Sequence, residues 1–390
     1  MNDLTIDIGY KSINHYGEQL CGDHVDIIDQ GANSKLIVLA DGLGSGVKAN
    51  ILSTLTSKII STMMAEGMPL ESCVRTMAST LPTHSEYGVA YSTFTIIHIK
   101  DNETAELIQF DDPHIIFIRD LIHRDYEKVE HEIDGKKIYR SIIDLQEGDI
   151  LLAMSDGCPH ANSDIAYNMD WQSDDIAEFI ETIAHVGYPA KTLAGILVDE
   201  CDRLYGGKPL DDATACIVRV IKRQQVNLLF GPPANRDDCD RMMSLFFSKK
   251  GKHIICGGTT ASIAAEYLGT DVVSTNSKIS GELPPPSEIK GVDLVTEGVV
   301  TMDKILKNAK AFLDDENAIS NWDFEKDPAA IASRMLFEDA TDIHLFIGKA
   351  VNPAHSEMQG DYKYMMKMSL ADELETCLKK MGKKVTTSYF

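Results

Sequence analysis

Leu36-Ile37-Val38-Leu39-Ala40-Asp41-Gly42-Leu43-Gly44-Ser45-Gly46 sets an acid and a glycine-rich turn directly behind five apolar residues. A run this short, bounded by turn residues, reads as a buried strand. The segment behind it, Val47–Met64, returns apolar residues every three or four positions, as a helix does. An aspartate is therefore delivered at the end of a strand, where a sheet can hold it rigidly. The construction recurs. Ile150–Met154 runs into Ser155-Asp156-Gly157, and Asp211-Asp212-Ala213-Thr214 stands directly before the strand Ala215–Val220. Cys21-Gly22-Asp23-His24 adds a fourth acid. Taken singly, an Asp-Gly pair after a strand is an ordinary turn. Carboxylates gathered at one sheet rim repel one another and need a cation between them, and hard oxygen donors select Mg²⁺ or Mn²⁺ over zinc. Glycines at 42, 44 and 46 lack the full G-x-G-x-x-G spacing, and no acidic strand end follows about 20 residues on, so a dinucleotide loop is set aside. They let the backbone come close to a metal or a phosphate instead.

Outward from these motifs, strand-like runs succeed one another at Leu36–Ala40, Tyr91–Ile99, Ala105–Phe110, Ile115–Ile118, Ile150–Met154 and Ala215–Val220. Tight polar turns such as Lys100-Asp101-Asn102-Glu103 imply antiparallel hairpins. Helical periodicity covers Val47–Met64, Pro69–Leu81, Ser173–His185 and Pro189–Tyr205, with Ser173 read as an N-cap before Asp174 and Asp175. Strand hairpins with four sizeable helices make an α+β layered domain over 1–222. Past the polar join Ile221-Lys222-Arg223-Gln224-Gln225 the rhythm becomes strand, turn, helix. Strands fit Val226–Phe230, His253–Cys256, Val292–Val295 and Ile343–Ile347. Helices fit Asp238–Lys249, Ala261–Leu268, Thr301–Leu313, Pro328–Phe337 and Tyr364–Met381. That alternation predicts a smaller α/β domain over 226–390 with a largely parallel sheet.

Composition narrows the function classes. The 390 residues carry 37 Lys and Arg against 60 Asp and Glu, a net charge of −23, and 44% are apolar. Residues 1–222 hold 17 basic and 36 acidic side chains, net −19, and residues 223–390 hold 20 and 24, net −4. A chain this acidic is a poor match to nucleic acid or to an anionic membrane surface. No apolar run approaches the roughly 20 residues of a membrane helix, and Met1-Asn2-Asp3-Leu4-Thr5 shows no secretory leader. The eight cysteines include no C-x-x-C pair, which reads as reduced thiols in a cytoplasmic protein.

The four aspartate motifs, in this order, resemble the metal-dependent protein phosphatase family of type 2C, in particular its bacterial branch typified by stage II sporulation protein E. The resemblance covers residues of about 5–222 and extends to Tyr91-Ser92-Thr93, Asp112-Pro113 and Gly148-Asp149-Ile150-Leu151-Leu152. Its most discriminating element is Asp-x-x-Thr before the last strand. Membership implies a four-layer αββα sandwich whose two antiparallel sheets meet at two Mn²⁺ or Mg²⁺ ions. It implies that Asp41 bridges the ions, that the Gly42 carbonyl ligates one of them, and that Asp156 and Asp211 complete the other. Asp23 would bind the second ion or its water. The implied activity is phosphoserine and phosphothreonine hydrolysis in a phosphorylated protein, by a metal-activated water and without a phospho-enzyme. Leu43 stands where many eukaryotic members place a histidine, and an arginine that binds phosphate in some relatives has no counterpart. Protonation of the leaving oxygen then falls to water at the metals. Asp111 and Asp112 are read as an exposed turn. His24, His84, His98, His114 and His160 are read as structural, and Cys21 and Cys158 as small buried residues.

In the second domain Gly257-Gly258-Thr259-Thr260 joins a strand to a helix and offers free backbone N–H groups to an anion. A capped, tightly packed helix start is the alternative. Gly231-Pro232-Pro233, Asp293–Gly298 and Asn352-Pro353-Ala354-His355 also follow strands, where parallel sheets collect ligands. The expectation is a regulatory or small-ligand domain attached to a phosphatase. A homodimer is compatible with the sequence. Two other functions remain open at this point: a catalytically silent signalling or binding module of the same fold, and a two-metal phosphohydrolase acting on a small phosphorylated molecule.

Overall fold

The computed structural model describes residues 3–31, 33–80, 92–111, 113–133, 136–161, 171–274, 284–314, 327–350 and 357–390. Tyr91, His84, Asp112 and Asn352–His355 fall outside them. The chain divides into two compact units, Met1–Lys222 and Arg223–Phe390.

The first unit runs β1 (Leu4–Ile13), β2 (Asp23–Asp29), β3 (Lys35–Gly42), α1 (Gly46–Ala65), α2 (Leu70–Thr80), β4 (Ser92–Lys100), β5 (Thr104–Phe110), β6 (Ile116–Arg119), β7 (Ile122–His123), β8 (Val129–Ile133), β9 (Lys136–Asp144), β10 (Ile150–Met154), α3 (Ser173–Ala184), α4 (Ala190–Leu204) and β11 (Ala213–Lys222). One sheet has the order β1-β11-β10-β6-β7 and the other β2-β3-β4-β5-β9-β8. All the pairings are antiparallel. The alternation of side chains along a strand explains the continuous apolar runs. In β3, Ile37 and Leu39 join the core between the sheets, while Leu36, Val38 and Ala40 pack under α1 and α2. In β10, Leu151 and Ala153 face the same inter-sheet core, and Ile150, Leu152 and Met154 face α3 and α4. These strands are buried on both faces, and the unit is an αββα sandwich of four layers.

The turn at Lys100–Glu103 closes the β4–β5 hairpin with Asp101 and Asn102 both at φ 54°. Helix α3 begins one residue earlier than Ser173 capping predicts. Gln172 is the N-cap, and its backbone N donates to Asp175 Oδ2 at 2.8 Å. Strands β1, β2, β8 and β9 have no counterpart in the sequence reading. Their stretches, such as Asp23-His24-Val25-Asp26-Ile27-Ile28-Asp29, alternate with charged residues because one face meets solvent or a polar partner.

Helix α1 inverts the usual amphipathic pattern. Its buried face is Gly46, Ala49, Ser53, Thr56, Ser57, Ile60 and Ser61. Val47, Ile51 and Leu55 on it are 59%, 51% and 43% exposed. Small buried residues let the helix lie close on β2 and β3. Lys58 and Ser61 both bond the buried Asp26 of β2.

The second unit runs β12 (Gln225–Phe230), α5 (Cys239–Phe247), β13 (Lys252–Cys256), α6 (Gly258–Leu268), β14 (Val273–Ser274), β15 (Ser287–Glu288), β16 (Leu294–Thr296), α7 (Val299–Asp314), α8 (Pro328–Ser333), β17 (Asp342–Ile347), α9 (Glu357–Lys380) and β18 (Lys384–Tyr389). Its sheet has the order β14-β15-β16-β13-β12-β17-β18. Five strands are parallel, and the short β14 and β15 are antiparallel, so the sheet is mixed. Helices α5 and α6 cover one face, and α7, α8 and α9 the other. The helix after the glycine pair starts at Gly258, three residues before the expected Ala261.

Arg119, at the end of β6, donates through Nε and Nη2 to the wholly buried Asp149, at 2.8 and 2.6 Å. Asp149 precedes β10 and also accepts from Gln146 N at 2.8 Å. Removing one member of such a pair leaves the other charge buried and uncompensated. R119A is expected to cost about 3 kcal/mol, the low end for a buried pair because the guanidinium edge is solvated. R119K should recover only part of the loss, since it keeps the charge but not the paired bonds. Urea unfolding of the three proteins measures both.

Candidate metal centre

Asp23 opens β2 and Asp41 closes β3, and the antiparallel register sets the two opposite each other. Asp156 follows β10 and Asp211 precedes β11, adjacent strands of the other sheet. The connection between the sheets is polar and specific. Ser155 Oγ donates to Asp23 Oδ2 at 2.7 Å and accepts from Thr214 N at 2.9 Å. Thr214 Oγ1 in turn bonds Ser12 Oγ of β1 at 2.7 Å. Ser155 and Thr214 belong to the Ser-Asp-Gly and Asp-x-x-Thr motifs, where sequence reasoning gave a role only to the acids.

The electrostatics record how close the acids stand. Asp23 is the charge that acts most strongly on Asp41. Burial first, and then the charges of Asp23, Asp156 and Asp211, push the Asp41 carboxyl up to about 9. Each of those charges is another carboxylate. Asp211 is raised as well, by burial and then by Asp156. The structure thus brings Asp23, Asp41, Asp156 and Asp211 into one cluster. Gly257, Gly258, Thr259 and Thr260 belong to the other unit, at the start of α6.

Asp212 has a different task from its neighbour. It is 2% exposed, and its Oδ1 accepts from His15 N at 3.0 Å, holding the loop between β1 and β2 against the cluster. Its Oδ2 is buried without a hydrogen-bond partner among the described residues. Glycines make the approach possible. A Cβ at Gly42 would stand 2.1 Å from Ala49 O of α1, and one at Gly157 would stand 2.1 Å from Asp212 O. At Gly22 it would meet Asp212 Oδ2 at 2.6 Å and Ala49 Cβ at 2.9 Å. The backbone of Gly42 is tied down by its N–H, which donates to Gly22 O at 3.2 Å.

His24 Nδ1 bonds Ser57 Oγ at 2.8 Å, and His98 Nε2 bonds Gln30 Oε1 at 2.8 Å. His114 packs edge-on against Tyr139. His160 departs from the structural reading: its Nδ1 lies 4.0 Å from Asp156 Oδ2, and it is 57% exposed at the cluster. One helical turn separates it from Asp156, a spacing visible in the sequence. All eight cysteines are free thiols. Burial raises Cys21, and the bond to Cys201 together with burial raises Cys158, so both stay protonated.

Residues 32–221 match the family model of stage II sporulation protein E, SpoIIE. The first domain is SpoIIE-like. Stage II sporulation protein E of Bacillus subtilis (strain 168) is 23% identical over 211 residues, which are 52% of this chain and 24% of that protein. The chain thus spans about a quarter of the curated relative. The PP2C phosphatase domain of the Bacillus subtilis protein, solved with a fragment of its regulatory domain, aligns at 19% identity and a TM-score of 0.47. That alignment covers 57% of this chain and 65% of the other. The catalytic domain of the serine/threonine phosphatase PstP, solved with two manganese ions, aligns at 17% identity and a TM-score of 0.41, over 56% of this chain and 100% of that one.

The carboxylate cluster fits divalent cations by its chemistry. Its donors are carboxylate oxygens, they are partly desolvated, and the charges acting on Asp41 are all negative. Among the described residues no three His, Cys, Asp or Glu side chains are placed to hold a metal ion as they stand.

The raised Asp41 carboxyl has a consequence for stability. The fold holds a proton that the unfolded chain releases near pH 3.8, so this contribution is fully present below about 4 and is lost as pH rises to about 9. In metal-free buffer, D41N is expected to gain on the wild type in melting temperature as pH climbs through that window. Millimolar Mn²⁺ should raise the wild-type melting temperature most at the alkaline end, where a cation need not displace the proton. Melting curves of both proteins across pH, with and without Mn²⁺, measure the two slopes.

Proposed function

We propose that this protein is a serine/threonine protein phosphatase dependent on two Mn²⁺ or Mg²⁺ ions, acting on a phosphorylated protein in the cytoplasm and controlled by its C-terminal domain. The observation that carries the reading is the convergence of four carboxylates from two sheets, with Asp41 raised to about 9 by burial and by the other three. Asp41 would bridge the ions and the Gly42 carbonyl would ligate one of them. Asp156 and Asp211 would hold the other, and Asp23 would bind the second ion or its water. The ions would supply positive charge for the phosphoryl oxygens and acidify water into a nucleophile at neutral pH.

The chain's own residues do the positioning. Ser155 holds Asp23 by one oxygen, leaving the carboxylate turned toward Asp41. Asp212 fixes the loop at His15, and the three glycines keep side chains out of the space between the strands. Leu43, 64% exposed beside the cluster, has no proton to give, so protonation of the leaving oxygen would fall to water or to the exposed His160.

Manganese-dependent release of phosphate from a phosphoserine protein is the expected activity, abolished in D41N and in D211N. S155A should keep turnover at saturating metal but need about tenfold more Mn²⁺, as loss of a ligand's orienting partner does. Hydrolysis of small phosphate esters with none on phosphoproteins would overturn the substrate assignment. No metal-dependent hydrolysis of either would leave a binding module.

A further inference from the structure

Helices α6 and α7 start from one point on the carboxyl edge of the second unit's sheet. β13 and β16 are parallel neighbours, yet α6 leaves β13 for one face and α7 leaves β16 for the other. Ligands collect where successive connections diverge in this way. Each helix is preceded by a glycine, and the two glycines touch. A Cβ at Gly298 would lie 3.5 Å from Gly257 Cα, and a Cβ at Gly257 would lie 3.9 Å from Gly298 Cα. Gly257 holds φ 122°, a backbone that other residues rarely adopt. Neither glycine can cap a helix with a side chain, so the first-turn N–H groups are left to an outside acceptor.

The third residue of each helix is a threonine, and both are in the same condition. Thr260 and Thr301 are each 1% exposed, and the hydroxyl of each is buried without a hydrogen-bond partner among the described residues. Thr260 Oγ1 is directed back at the cap, 3.3 Å from where a Cβ of Gly257 would be. A buried hydroxyl without a partner is destabilising, and here two such hydroxyls accompany two adjoining helix starts. Gly258, Thr259, Val299 and Val300 are exposed, so the first turns are open to solvent. The neighbouring Thr296 is already satisfied, donating to Glu297 O at 2.9 Å with Cys256 Sγ 3.3 Å away.

We propose that the paired starts of α6 and α7 form a binding site for a phosphate dianion, either free phosphate or the phosphate group of a small ester. The N–H groups of Gly258, Thr259, Val299 and Val300 and the hydroxyls of Thr260 and Thr301 donate to its oxygens. Two helix N-termini supply positive potential without a basic side chain. The exposed Glu297 borders the site and opposes the anion.

The test is equilibrium dialysis of labelled inorganic phosphate against the full-length protein in EDTA, so that the carboxylate cluster has no part in the result. Saturable binding is expected, unchanged in D41N. It should weaken about tenfold or more in T260V/T301V, which removes two hydrogen bonds to a charged group, and tighten in E297Q. Competition by a small phosphate monoester separates the sources. A tighter ester names the ester, and equal or weaker competition names free phosphate. The valine variants carry their own control for folding. With phosphate absent their melting temperatures should match or exceed the wild type, because each loses an unsatisfied buried hydroxyl. No binding at millimolar phosphate, equal binding in T260V/T301V, or a fall in the phosphate-free melting temperature of the valine variants would overturn the site.

Discussion

Repulsion among Asp23, Asp41, Asp156 and Asp211 is the constraint around which the first domain is arranged. Four negative groups at one rim would spread apart in a flexible chain. Here each is fixed by backbone that has little freedom to yield. Asp41 ends a strand buried on both faces, Asp156 follows another, and the Ser155 bridge joins the sheets at Asp23. The Arg119 pair with Asp149 holds the far end of β10, so the strand that carries Asp156 is anchored at both ends. Burial, and then the charges of the other three, put Asp41 far above an ordinary carboxylate. The two sheets and their helices hold that charge in place, and a divalent cation is its natural complement.

Much of this was legible in the residues. The runs Leu36–Ala40 and Ile150–Met154 are apolar at every position because both faces of those strands are covered, and such runs stand out from polar surroundings. The acids at their ends were legible for the same reason. What escaped was the one-sided strands. Leu4–Ile13 and Lys136–Asp144 alternate apolar and polar residues weakly, and the polar members face solvent or pair across the sheet. The supporting hydrogen bonds of Ser155, Thr214 and Asp212 escaped as well. They join residues 59 to 202 positions apart, and local pattern carries no trace of such distances. His160 was within reach, since a separation of four from Asp156 puts both on one turn.

The C-terminal domain shows the complementary lesson. Its sheet read as parallel because Val226–Phe230, His253–Cys256 and Ile343–Ile347 are central and apolar, whereas β14 and β15 are two residues long and leave no periodic signal. Gly257-Gly258-Thr259-Thr260 was visible as a turn and Asp293–Gly298 as a second strand end, yet their pairing was not. Only the fold shows that two separate turns end on touching glycines.

Ala49 has neighbours that bear on how the first domain can vary. Its carbonyl fills the place of a side chain at Gly42, and its methyl crowds the place of one at Gly22. Positions 22, 42 and 49, from three different elements, therefore behave as a single locus. A larger residue at 42 cannot be accommodated by trimming 49, since it meets the Ala49 carbonyl, and at 22 the loss of the Ala49 methyl would still leave Asp212 Oδ2 at 2.6 Å. In a library of random variants these three should tolerate change least, and any tolerated substitution should come with a displaced α1. The charge that defines the site is thus guarded by residues that carry no charge and offer no side-chain donor.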